Sequence, residues 1–358
     1  MTFDPTTWPF EVVALVTDSP ERQATASSFA WNGERLVRGT YRGGLEIHAG
    51  ASLADRTTHD ELFTDAVAGT QWLGEQVLCL GTERRISHEG DWGHELRLVD
   101  VTGARASVHR TSALGPGNWH LVQGHSGSRA LVRDRTQRRG LVAHDATTGS
   151  VVWRALGGDR LGRVLPTDDG SLLVFTGDRD RELVEIDRDA GHVRRRVVLP
   201  DTPEWCWTTA LMADGDELIL GGFERESRRI RITRWTTGDH CVRAIHEGEI
   251  ADHFGRATIE YVESCEEDYG NDLHEIAELR WLERGRSLLV ILGGGDDASV
   301  ACQGATAVGV LDLDCPSTFA THVLDDERGC MGTVVDPATG LFFIEAGAGV
   351  YVLRLRPR

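Results

Sequence analysis

Three sets of residues in this chain have types and spacings that could do chemistry. The first is a series of arginines in short polar stretches. They are Arg84 and Arg85 (TERRISHEGDWG), Arg133, Arg135, Arg138 and Arg139 (RDRTQRR), Arg179 and Arg181 (GDRDR), and Arg225, Arg228 and Arg229 (FERESRR). A guanidinium stays charged and presents a planar fork of donors that grips carboxylates and phosphates bidentately. Between these stretches lie Trp119 and His120 (GPGNWH), then Trp205 and Trp207 (PEWCW). Arg and Trp are the residue types most enriched at the hot spots of protein interfaces. The interleaved Asp and Glu residues offer the plainer alternative, in which Arg–carboxylate pairs simply solvate the ends of hairpins.

The second set is the 14 histidines. His88 and His94 flank an acidic stretch, and His240, His246 and His253 lie near one another in sequence. Zinc sites show closer ligand sets with a supporting shell, so structural histidines are expected here and no metal. The third set is the acidic pairs Asp168–Asp169, Asp178 with Asp180, Asp187 with Asp189, and Asp296–Asp297. A Ca²⁺ site needs six or more oxygen ligands, whereas Asp is what β-turns prefer. The pairs therefore read as turns, with Asp178 to Asp189 the place to look for calcium. No nucleophile elbow, zincin motif, P-loop or dinucleotide fingerprint follows a suitable strand. Gly293 to Gly295 follows a strand but reads as a loop.

The elements that must position these residues are strands. Gly-punctuated runs of Val, Leu and Ile recur through all 358 residues, and no long stretch keeps a 3.6-residue apolar period. Seven runs align: ERLVRGTY, EQVLCLGT, SRALVRDR, GSLLVFTG, DELILGGF, RSLLVILGG and GLFFIEAG. Their matching positions are Leu36, Val77, Ala130, Leu172, Leu218, Leu288 and Leu341, spaced by 41, 53, 42, 46, 70 and 53 residues. A repeat of about 40–50 residues with four short strands per unit indicates a β-propeller. The prediction is an all-β, seven-bladed propeller with four-stranded antiparallel blades, in one domain over residues 1–358. Trp31, Trp72 and Trp281 fall at nearly the same place in three units and should pack between blades.

The last unit reaches Arg358 straight after its third strand, while FEVVALVT (Phe10 to Thr17) is a spare strand ahead of the first unit. Pairing that strand into the last blade would close the ring and remove an open edge. The sixth unit is long by about 25 residues against the usual period. The excess, around residues 260–276, includes SCEEDYGNDLHE and reads as an acidic surface excursion.

The formal net charge is −18, which argues against nucleic acid, where phosphate neutralisation supplies the affinity. It also disfavours anionic membrane surfaces, and no apolar run is long enough to span a membrane. The chain contains no lysine; an arginine-favouring GC-rich genome or selection against amine chemistry would each give that result. Seven scattered cysteines without a C-x-x-C pair, and a start (MTFDPTTWPFEVV) unlike a signal peptide, point to reduced thiols in a bacterial cytoplasm.

The best-formed hairpin is RGLVAHDATTGSVVWRA, Arg139 to Ala155. Its Ala143, Asp145, Thr148, Gly149 and Trp153 resemble the A-x-D-x-x-T-G-x-x-x-W repeat of quinoprotein-like β-propellers, and the architecture resembles the WD40 superfamily. A partial copy, Asp187, Ala190 and Gly191, has Arg195 in the Trp position, and no unit carries the G-H and W-D pair of typical WD40 repeats. The resemblance implies the fold and, for Trp153, packing between blades. The quinone cofactor and calcium of the exported dehydrogenases are not carried over, and no cofactor is expected.

In WD40-like propellers, loops joining second to third strands share a face with loops linking successive blades. The arginine stretches all fall in second-to-third loops, and Trp119, His120, Trp205 and Trp207 are expected in the blade-linking loops of the same face. The expected function is a non-catalytic scaffold or adaptor that docks an acidic protein segment there, so that reversing Arg133, Arg135 and Arg139 weakens capture. The alternative is a lyase- or hydrolase-type enzyme over the central channel, drawing acid–base groups from His120, His88 or the acids near Asp268.

Overall fold

The computed structural model describes residues 9–17, 24–50, 52–85, 92–102, 105–117, 119–122, 128–134, 140–167, 169–176, 182–199, 205–213, 217–224, 229–236, 241–254, 276–293, 305–316, 319–325, 330–336, 338–346 and 349–356. Seven four-stranded antiparallel sheets follow one another as the blades of a ring. Six are built from consecutive strands. Blade four, for example, runs Leu161–Pro166, Ser171–Thr176, Glu182–Asp187 and Val193–Val198. The seventh takes Cys330–Asp336, Leu341–Ala346 and Gly349–Leu355 from the end of the chain and Phe10–Thr17 from its start. The ring is thus closed by the N-terminal strand, antiparallel to Gly349–Leu355 with Phe10 opposite Leu355 and Val16 opposite Val350.

Period-two geometry explains why the middle strands read as unbroken apolar runs. Successive side chains of a strand point to opposite faces, and in a propeller both faces meet a neighbouring blade. All six residues of Ser171–Thr176 are buried. Leu172 and Val174 join the core shared with blade three, whereas Leu173 and Phe175 join the core shared with blade five. The same alternation runs round the ring, and the seven apolar clusters correspond one to one with the seven seams between blades. Each buried Leu, Ile, Val or Phe contributes about 1.5–3 kcal/mol.

The aligned positions keep one register. Leu36, Val77, Leu172, Leu218, Leu288 and Leu341 sit opposite Trp31, Trp72, Pro166, Met212, Trp281 and Asp336 of the first strands. Each of the three tryptophans donates its indole N–H to the preceding blade: Trp31 to Asp336 Oδ2 (2.8 Å), Trp72 to the Ala30 carbonyl (3.1 Å) and Trp281 to the Met212 carbonyl (2.9 Å). Large flat rings fill the seam, and their one polar atom is satisfied across it.

The Asp-Thr-Gly hairpin is part of the same framework. Asp145 Oδ1 accepts the Thr148 N–H at 2.6 Å, and Gly149 has φ +69°. Its neighbour Gly191, at φ +72°, lies under the Trp153 ring, where an added Cβ would come within 2.4 Å. Trp153 Nε1 donates to the Arg188 carbonyl at 3.1 Å. The motif tryptophan of blade three therefore rests on the turn of blade four.

One seam differs in chemistry. Arg38, 1% exposed, stands on the face of its strand that meets blade seven. It donates to the Val16 carbonyl of the N-terminal strand (3.5 Å) and pairs with Glu345 (3.7 Å). Glu46, fully buried, has His48 and Arg56 each at 3.7 Å. Burial opposes its ionisation, but His48, Arg56 and Arg38 outweigh that and hold the carboxyl below its ordinary range.

Candidate partner face and central channel

The second-to-third loops gather at one end of the ring because every middle strand runs in the same direction along it. At this end Arg84 and Arg85 finish the strand Gln76–Arg85, and Arg133 lies within the strand Arg129–Asp134. Arg135, Arg138, Arg139, Arg179, Arg181, Arg225 and Arg228 fall outside the described residues, as do the side chains of Arg84, Arg85 and Trp205. Arg133 is half-buried and donates to the Gly162 carbonyl of blade four, so it braces a seam. Arg229 begins the strand Arg229–Thr236 and pairs with Glu247 at 2.5 Å.

The aromatic pairs do not sit in linking loops. Trp119 and His120 belong to the three-residue strand Trp119–Leu121, and Trp205 and Trp207 to Trp205–Met212. The reading as loops fails because each segment supplies the innermost strand of its blade. Trp119 is 4% exposed within the seam of blades two and three, and Trp207 is 6% exposed within that of blades four and five. His120 is half-buried and opposite Arg133, so the two are cross-strand neighbours near this end.

The first strands bond to one another from blade to blade and form the inner wall of the ring. Thr70 Oγ1 donates to the Ser28 carbonyl (2.9 Å), Arg163 to that of Thr208 (3.5 Å) and Thr208 Oγ1 to that of Ile276 (3.0 Å). Thr333 Oγ1 donates to Glu278 Oε2 (2.9 Å), whose Oε1 lies 2.8 Å from Arg280 Nε. These polar residues were not singled out in the sequence. The alternation Glu278-Leu279-Arg280, with Leu279 buried and its neighbours half-exposed, is the pattern that could have revealed them. They tie blades together. His88 and Asp268 lie outside the described residues.

The acidic turns are structural where they are described. Asp187 Oδ1 accepts the N–H groups of Asp189 (2.9 Å) and Ala190 (2.7 Å), and Oδ2 pairs with Arg194 at 2.8 Å. These contacts pull its carboxyl down to about 2. Among the described residues no three His, Cys, Asp or Glu side chains are grouped to hold a metal. The crevice between the Gly149 turn and the outer strand of blade two has a volume of about 10 Å³, roughly one water. No helix among the described residues is long and apolar enough to cross a membrane.

No protein-family profile matches the chain, and no curated protein does. Solved structures do. The WD40 domain of Neurospora crassa Pan2 superposes with a TM-score of 0.57 over 98% of this chain and 96% of that one, at 13% identity. The fold is that of a WD40-like seven-bladed β-propeller. A chain of a mitotic checkpoint complex gives a TM-score of 0.58 over 100% and 96%, at 11% identity. At these identities the WD40-like likeness is one of fold. The aspartates and tryptophans that stabilise this propeller's turns and seams are accounted for within the chain itself.

Proposed function

We propose that this chain is a protein-binding scaffold whose partner docks on the face carrying the second-to-third loops. The observation behind this reading is the run of arginines in those loops over four consecutive blades of an otherwise acidic chain. Guanidinium groups on a rigid ring suit a carboxylate-bearing protein segment, because bidentate pairing rewards fixed geometry. The checkpoint-complex likeness supports it as an example of this fold within a protein assembly. Trp119 and Trp207 would support the face from beneath, since their rings lie in the seams. The bacterial cytoplasm remains the proposed setting.

The arginines to test are those other than Arg133, which braces a seam. Reversing Arg135, Arg139, Arg179 and Arg181 together to Glu should abolish the retention of proteins from host lysate that the wild-type chain holds. The variant's melting temperature should be unchanged. Retention should also fall with added salt, as surface charge is screened. An identical set of retained proteins on the folded variant would overturn the reading. Arg133→Glu is the contrasting control, since breaking its contact with Gly162 should lower stability.

A further inference from the structure

We propose that the outer rim between blades five and six binds one d¹⁰ transition-metal cation, Zn²⁺ or Cu⁺, through His246 and His253. His246 lies on the outer strand Cys241–Glu249 of blade five, beside a bulge that breaks the register between Ile232 and Thr233. Bulges re-aim side chains out of the regular alternation. His253 lies on the short helix Ile250–Phe254, which packs against the outer strand Ala320–Asp325 of blade six. The two rings meet edge to face with centroids 5.5 Å apart, and both pack against Phe319, at 4.7 and 5.1 Å.

The hydrogen bonds around His253 determine its tautomer. Thr321 Oγ1 gives its single proton to the His253 carbonyl at 3.0 Å. In its 3.3 Å contact with His253 Nδ1 the same oxygen must therefore accept. Nδ1 carries the ring proton, and the lone pair of the neutral ring is on Nε2. That nitrogen belongs to a side chain only 7% exposed and has no hydrogen-bond partner among the described residues; the Nε2 of the half-buried His246 is itself buried and likewise has none among them. Both nitrogens face one space. They lie 3.1 Å (His246) and 3.3 Å (His253) from the point where a side chain on Gly248 would begin. The absence of a side chain at Gly248 keeps that space open.

This is how imidazole ligands are held ready for a metal: the far nitrogen is fixed by a hydrogen-bond acceptor, here Thr321 Oγ1, and the near one is left basic. The nearby charges are acidic. Asp252 and Glu247 both act on His246 in the direction that favours positive charge, and Glu247 is itself paired with Arg229 and Arg231. A cation with a filled d shell imposes no geometry of its own and accepts imidazole nitrogen. No third His, Cys, Asp or Glu joins the pair among the described residues, so any further coordination position falls to solvent.

The test uses the untagged full-length chain, stripped with chelator and titrated calorimetrically with Zn²⁺ and, anaerobically, with Cu⁺. One equivalent of at least one ion should bind. His246→Gln and His253→Gln should abolish that event. Gly248→Ala keeps both imidazoles but fills the space between them, and should abolish it too, with the fold intact by circular dichroism. Thr321→Val should weaken binding about tenfold by freeing the ring of His253. Failure of both ions to bind stoichiometrically, or binding that survives both His246→Gln and Gly248→Ala, would overturn the site.

Discussion

Asp187 shows what the recurring aspartate of the third-to-fourth turn does. Its carboxylate takes two backbone N–H groups and a guanidinium, contacts that exist only in the folded chain. Its folded value of about 2 lies below the ordinary 3.8. A depressed carboxyl contributes stability that is fully present above the unfolded value and lost as pH falls through the folded one. Asp187→Asn should therefore melt at a lower temperature than wild type at pH 7. The gap should close as the pH is taken from 4 down to 2. Melting curves collected across that range decide it, and a gap that stays constant would assign the loss to the altered side chain and not to its charge. Gly149 and Gly191 belong to the same device, since only a residue without Cβ lets the next seam close over such a turn.

At the level of elements, the seam between blades seven and one is the one to probe. Arg38, Glu46, His48 and Glu345 occupy faces that meet this seam, at heights where neighbouring blades mostly place apolar pairs. Truncating one member of a buried ion pair costs about 3–5 kcal/mol, because the partner is left charged and dry. Arg38→Ala should lose stability on that scale in urea unfolding. Arg38→Met combined with Glu345→Gln should recover much of it. If the single and double variants are equally impaired, Glu345 is not the partner that matters.

For the whole molecule, ring closure makes a terminal strand a global element. Phe10 is fully buried and Val16 nearly so, in the two different seams that flank blade seven. Deleting residues 1–20 removes both, together with the carbonyl that receives Arg38, and leaves Gly349–Leu355 as an unpaired edge. The whole transition should shift down by roughly 10 °C or more, without a separate early phase. An unchanged melting temperature would count against closure as a source of stability.

The amino-acid sequence alone determined the number of blades, the middle strands and the closing strand. The physical reason is local: a strand buried on both faces is apolar at most positions, and such runs stand out between glycine turns. The polar outer strand Asp55–His59, the three-residue strand Trp119–Leu121 and the helix Ile250–Phe254 carry no such signal and escaped notice. The seams belong to the tertiary structure alone. Trp31 finds its acceptor 305 residues away in Asp336, Arg38 meets both ends of the chain, and two histidines share the space over a glycine. The first two contacts exist because the ring closes, whereas the histidines meet because the short helix folds back beside its own strand.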